Sequence, residues 1–167
     1  MSESNKKKSD LKIFPSGDQD VVVTRTFNAP AEFVFAALTK PELIKRWLLG
    51  PDGWTMPFCE VDLRVGGKYR YVWKNDDGRE MGMGGVYREI ASPHRLVHTE
   101  LFDEAWYPGE CLITTVLTEK DGKTLFTGTM HYVSKEARES TLTSGMEDGL
   151  IPSYDRLEAI VEELKRG

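Results

Sequence analysis

The sequence predicts an α+β domain in which a curved antiparallel sheet of about seven strands closes around one long C-terminal helix. Three observations predict it. Two short helices follow directly on the first strand, the middle of the chain holds only strands separated by turns, and the C-terminal segment returns to helical periodicity. One face of an antiparallel sheet has to be covered, and the final helix is the element long enough to cover it.

Residues 1–18 are polar, with Pro15 and Gly17 near their end, and are expected to form a flexible leader before a domain over residues 19–167. Val21, Val22, Val23, Thr24, Arg25, Thr26 and Phe27 make a β-branched run that predicts the first strand. Asn28-Ala29-Pro30 offers an N-cap and a proline at a helix start, where its missing N–H costs nothing. Phe33, Val34, Ala37 and Leu38 then recur at helical spacing. Thr39-Lys40-Pro41-Glu42 repeats the start signal for a second short helix carrying Leu43, Ile44, Trp47 and Leu48, which Gly50-Pro51-Asp52-Gly53 ends.

A strand over residues 58–65 is expected to stop at Gly66-Gly67. Residues 68–74 alternate most cleanly: Tyr69, Tyr71 and Trp73 share one face, Lys68, Arg70 and Lys74 the other. Asn75-Asp76-Asp77-Gly78 predicts a hairpin turn, with glycine where positive φ is needed. The returning strand covers residues 79–90 and breaks at Ser92-Pro93; another covers residues 95–102 before an acidic, aromatic loop over residues 103–109. Strands over residues 111–118 and 124–133 pair across Lys120-Asp121-Gly122-Lys123. In the last of them Phe126, Met130 and Tyr132 share a face with Gly128 between them, and Thr127, Thr129 and His131 share the other. Ser134 then caps a helix over residues 134–164 whose apolar stripe is Leu142, Met146, Gly149, Leu150, Leu157, Ile160, Val161 and Leu164. Pro152 predicts a kink, because it removes one hydrogen bond and crowds the carbonyl of Asp148.

Composition narrows the function. With 22 Lys and Arg against 27 Asp and Glu the net charge is −5, which argues against nucleic-acid binding, where a basic face must replace counterions. Lys6-Lys7-Lys8 has no apolar stretch behind it, so no secretory signal is expected. No segment approaches the roughly 20 apolar residues that span a bilayer, and no membrane partner is expected. Cys59 and Cys111 form neither a disulfide framework nor a metal spacing and are expected to be buried free thiols in a cytoplasmic protein.

This order of elements resembles the helix-grip superfamily of lipid-transfer and polyketide-cyclase-like domains. Within it the chain resembles homologues of the C-terminal domain of the heat-shock-protein-90 ATPase activator. The resemblance runs from about Val21 to Leu164. It is carried by Phe27-Asn28-Ala29-Pro30 with Val34-Phe35, by Leu38-Thr39-Lys40-Pro41-Glu42 through Arg46-Trp47, and by Asp62-Leu63-Arg64-Val65-Gly66-Gly67 with Tyr69. Tyr87-Arg88-Glu89-Ile90, Pro93 to Val97, and Gly149 through Tyr154-Asp155-Arg156-Leu157 extend it. The resemblance implies a ligand cavity under the long helix and no shared catalytic set, since its members include carriers, cyclases and co-chaperones. The eukaryotic activator has a separate N-terminal domain that the residues before this domain are too few to supply. Marked stimulation of a heat-shock ATPase by this chain is therefore not expected.

The residues expected to line the cavity are Trp47, Tyr69, Tyr71, Trp73, Met83, His98, Glu100, Phe102, Trp106, Met130, Met146 and Leu150. Apolar walls with a few polar handles suit a hydrophobic or aromatic small molecule. Gly128, Gly145 and Gly149 are expected to leave room in it, and Gly82, Gly84 and Gly85 to make room for a neighbouring group or a ligand. Trp54, Trp106 and Tyr107 are expected at its mouth. His94, His98 and His131 show no metal spacing, and no cofactor is expected. His98 and Glu100 lie two residues apart on one strand and point to one side. Alternation fits two registers: this pair faces the cavity, or Val97, Thr99 and Leu101 do. In the first register the carboxylate would keep the imidazole protonated or orient it as a base, which admits a cyclase- or hydrolase-type enzyme. A co-chaperone-like surface is the other alternative to a binding module, and nothing in the sequence sets the oligomeric state.

Overall fold

In the computed structural model, which describes residues 10–167, strands β1 (Lys12–Ser16) and β2 (Asp20–Phe27) precede helices α1 (Ala31–Thr39) and α2 (Pro41–Trp47). Six strands follow: β3 (Trp54–Val61), β4 (Lys68–Asn75), β5 (Glu80–Ala91), β6 (Arg95–Phe102), β7 (Cys111–Lys120) and β8 (Lys123–His131). Helices α3 (Lys135–Leu142) and α4 (Glu147–Arg166) complete the chain. The strands form one open antiparallel sheet in the order β1-β2-β8-β7-β6-β5-β4-β3. Helix α4 lies across it, burying Leu157, Ile160 and Val161 in a core shared with Phe27, Val34, Ile44 and Phe126. This is the predicted α+β helix-grip architecture, with eight strands where about seven were expected.

The additional strand is β1. Residues 12–16 were expected within the leader, but they pair with β2 from Lys12↔Thr24 to Ser16↔Asp20. A proline is tolerated on an edge strand, and Pro15 sits on this one with most of its neighbours exposed. Buried Arg138 of α3 fixes the β1–β2 turn by donating to the carbonyls of Gly17 and Asp20 at 3.1 and 2.9 Å. The rest of the expected leader, residues 1–9, lies outside the described residues.

Two other boundaries move. The strand expected over residues 58–65 begins at Trp54 and ends at Val61, because residues 62–67 fold into a tight turn in which Gly67 N–H donates to Arg64 and Gly66 takes φ 86°. The single kinked helix is instead two helices. Ser134 caps α3 as predicted, accepting from Ala137 N–H at 3.0 Å. The break comes at residues 143–146 and not at Pro152, which sits inside α4. Thr143 and Ser144 turn their hydroxyls back onto helix carbonyls, and Gly145 adopts φ 81°, the left-handed conformation that ends helices.

Arg25 of β2, only 4% exposed, joins sheet to helix: it donates to Asp155 at 2.8 Å and to Glu158, both on α4, and lies 3.6 Å from Asp10. The glycines of β5 do make room, and what fills it is protein. A Cβ on Gly85 would stand 1.9 Å from the Thr99 carbonyl oxygen, and one on Gly82 would meet Asp103 and Arg70.

Since the obstacle at Gly85 is backbone, Gly85→Ala forces β5 and β6 apart. It is expected to lower stability by roughly 1–3 kcal/mol or more. Urea unfolding measures this, and an unchanged midpoint would show that the two strands can separate freely.

Candidate functional site

A cavity of about 530 Å³ lies between the concave face of the sheet and the helices. Period-two alternation places its floor. In β4, Tyr71 and Trp73 point in; in β5, Met83 does; in β6, the inward set is Leu96, His98, Glu100 and Phe102. Met130 of β8 and Trp47 of α2 complete the far wall, and Met146 and Leu150 come from the helix break and the start of α4. Trp106, 47% exposed, also lines the cavity, as do half-buried Trp54 and buried Tyr107, so of the three residues expected at the mouth only Trp106 is exposed. His98 and Glu100 thus take the inward register.

Tyr69 is the one proposed site residue outside the wall. It packs behind His98, with ring centroids 5.2 Å apart, and its hydroxyl donates to the Thr99 carbonyl at 2.6 Å. Gly128 and Gly149 line the cavity, whereas Gly145 is required by its positive φ. A Cβ at Gly149 would touch Gly50 and Pro51 at 3.5 Å, so that glycine also seats the loop after α2 against α4. The same loop is held by Ser153, which accepts from Gly50 N–H at 2.9 Å, and by Arg156, which donates to the Gly50 carbonyl at 2.9 Å.

The indole N–H groups are satisfied by backbone. Trp47 donates to the Ala37 carbonyl at 2.8 Å and Trp73 to the Leu48 carbonyl at 2.7 Å, which leaves apolar ring surface for the cavity. Sequence reasoning did not assign Tyr132 and Tyr154 to the wall, though both line it. Tyr132 shares its face with Met130, and Tyr154 lies four residues after Leu150 on a helix; both signals were present.

Electrostatics separate His98 from Glu100. Burial lowers the His98 imidazole to about 4, against a weaker opposing bond to the Thr99 carbonyl. Burial raises the Glu100 carboxyl to about 7. The expected protonation or orientation of the imidazole by the carboxylate therefore does not occur; the partners of His98 are Tyr69 and Thr99. Nδ1 lies 3.1 Å from the Tyr69 hydroxyl and 3.3 Å from the Thr99 carbonyl. A carbonyl only accepts, and the Tyr69 proton is engaged by Thr99, so Nδ1 carries the proton and Nε2 is an acceptor. The Tyr107 hydroxyl is buried without a partner among the described residues. Cys111 is buried and Cys59 half-buried, and neither is in a disulfide; burial pushes the Cys59 thiol up to about 11, far from a reactive thiolate. His131 faces outward and bonds Asp20 at 2.6 Å. No helix of the described residues is long and apolar enough to cross a membrane.

The profile of the family described as Activator of Hsp90 ATPase homolog 1-like protein matches residues 28–162. No curated protein matches the sequence. Among solved structures, a Rhodobacter sphaeroides protein is 33% identical with a TM-score of 0.86, over 92% of this chain and 98% of its own. A Nitrosomonas europaea protein is 24% identical with a TM-score of 0.79, over 92% and 100% of the two chains. An Aeromonas hydrophila protein described as AHSA1-like shares the fold at 18% identity and a TM-score of 0.66, over 86% and 93%.

The two shifted groups act on stability in opposite directions. The His98 contribution is complete above its ordinary value of 6.5 and is lost as pH falls toward 4. The Glu100 contribution is complete below its ordinary value of 4.5 and is lost as pH rises through 7. Glu100→Gln should therefore gain thermal stability over the parent at pH 8 and gain little at pH 4.5. A constant difference in melting temperature across that range would contradict the burial of the carboxyl. In the same protein, imidazole NMR should show His98 as the Nδ1–H tautomer and without titration between about pH 5.5 and 8.

Proposed function

Because the chain belongs to the family of Activator of Hsp90 ATPase homolog 1-like proteins, whose fold leaves space between sheet and helix, we propose that it binds a hydrophobic or aromatic small molecule in that space. The observation that carries this reading is the cavity of about 530 Å³, walled by Trp47, Tyr71, Trp73, Met83 and Phe102. Small-molecule sites commonly measure about 300–1,000 Å³ and combine apolar walls with a few polar groups. Protein interiors are otherwise close-packed, so wall atoms facing a cavity forgo dispersion contacts that an apolar occupant restores. Binding energy then scales with buried apolar area, at about 25 cal/mol per Å².

ATPase stimulation is not expected of this chain. Aromatic anchors usually centre a protein interface, yet of the described tryptophans and tyrosines only Trp106 is exposed, and it also lines the cavity.

A second reading, acid–base catalysis at the same wall, is favoured by one observation. Strand β6 turns both the Nε2 acceptor of His98 and the Glu100 carboxyl, which burial raises to about 7, into the same cavity. It requires a turnover that falls at least about tenfold in both His98→Ala and Glu100→Gln, within the range of a single acid–base group. Full activity in either variant removes it.

Ile113 of β7 lines the cavity beside Met130, its partner across the ladder. Ile113→Phe adds volume there and should weaken an environment-sensitive hydrophobic dye several-fold while leaving the melting temperature within a few degrees. Dye fluorescence titration checks this. Equal affinity in parent and variant would place the dye elsewhere.

A further inference from the structure

Resting on the cavity reading, we propose that the ligand carries a basic nitrogen on its apolar body, with Glu100 as the counter-ion that receives it. The polar inventory of the wall points this way. Among the described residues that line the cavity, Glu100 is the only aspartate, glutamate, lysine or arginine. An anionic amphiphile would therefore meet a carboxyl and no cation. A cationic one would meet a carboxylate among the rings of Trp47, Tyr71, Trp73 and Phe102, and aromatic rings attract cations through the ring quadrupole.

The Glu100 carboxyl is also available. It takes no hydrogen bond or ion pair among the described residues, and its oxygens are not among the side-chain atoms that are both sealed and unpartnered, which are Nε of Arg25 and the hydroxyl of Tyr107. A buried carboxyl without partners is costly when charged, and a ligand cation would supply the missing partner. His98 contributes an acceptor rather than a donor, since its one ring proton sits on Nδ1 and is directed at Tyr69 and Thr99. A carboxylate and an imidazole acceptor, two residues apart on one strand, suit a group rich in N–H donors.

The same arrangement makes capture pH-dependent. The titratable groups around Glu100 are His98 on its own strand, Tyr69 and Tyr71 on β4, and Tyr107 in the loop before β7. On the other elements they are Cys111, its ladder partner on β7, Tyr132 after β8, and Tyr154 on α4. Burial moves the tyrosines and the thiol upward and His98 downward, so none of them changes charge between pH 6 and 8. Glu100, raised to about 7, is the group among them that does.

Calorimetric titration with naphthylethylamine, naphthylethanol and naphthylacetate separates charge from apolar burial. For the parent protein at pH 8 the amine should bind about tenfold or more tightly than the alcohol, with the carboxylate weakest, in line with a desolvated ion pair and cation–π contacts. Glu100→Gln should bring the amine-to-alcohol ratio close to one. In the parent, amine affinity should also rise about tenfold from pH 6 to pH 8, as a carboxyl titrating near 7 requires. That second measurement stands even if the variant fails to fold. Equal binding of amine and alcohol, a pH-independent amine affinity, or a preference that survives Glu100→Gln overturns the amine assignment and leaves the cavity reading intact. No binding of any of the three, with no dye binding, overturns both.

Discussion

The β6 wall of the cavity depends on how closely β5 and β6 approach around Gly85. The space there is too small for a Cβ atom, because the Thr99 carbonyl oxygen occupies it. Between the paired positions Gly84↔Leu101 and Tyr87↔His98, side chains take over hydrogen bonds from the backbone. Thr99 Oγ1 accepts from Val86 N–H at 2.9 Å, and the Thr99 carbonyl accepts the Tyr69 hydroxyl. These bonds keep buried backbone groups paired where the ladder is interrupted, and such pairing is nearly obligatory. From β6, Leu96, His98, Glu100 and Phe102 face the cavity, and the bond from the Tyr69 hydroxyl to Thr99 sets the imidazole tautomer.

The wall divides its polar atoms into those used by the fold and those left over. Both indole N–H groups of Trp47 and Trp73 are spent on carbonyls at the ends of α1 and α2, which orients the rings and leaves hydrocarbon inward. The loop that follows α2 is in turn fastened to α4 through Ser153 and Arg156. By contrast, neither the Glu100 carboxyl nor the Tyr107 hydroxyl has a partner among the described residues.

Most of the architecture was legible because its signals are local. Alternation in residues 68–74 placed Tyr71 and Trp73 inward, the Asn75–Gly78 turn formed with Gly78 at φ 83°, and Ser134 capped the helix it was expected to cap. The misreadings have two causes, a partner distant in sequence or a competing local signal that was underweighted. Strand β1 carries a proline and little burial, and only its pairing with β2 makes it a strand. Pro152 gave the stronger local signal for a kink, yet the helix yields at Gly145, where neighbouring hydroxyls already compete for carbonyls. Tyr69 obeys the same alternation as Tyr71 but lies where the strand passes behind His98. The separation of His98 from Glu100 was beyond sequence reasoning, because two-residue spacing predicts a shared face and not which neighbour each side chain bonds.

The sheet order carries a kinetic consequence. Strand β2 pairs on its inner side only with β8, so Asp20 meets His131 across a sequence separation of 111 residues. Pairings of this span must bear the full entropy of closing the intervening chain before they return any stability, and domains rich in them fold slowly. During synthesis the β3–β7 meander can assemble as it emerges, while the valine-rich β2 waits for the last strand to leave the ribosome. Until then its apolar face and backbone edge stay open to other chains. The N-terminal strands are thus the part of this protein most in need of protection while it is being made.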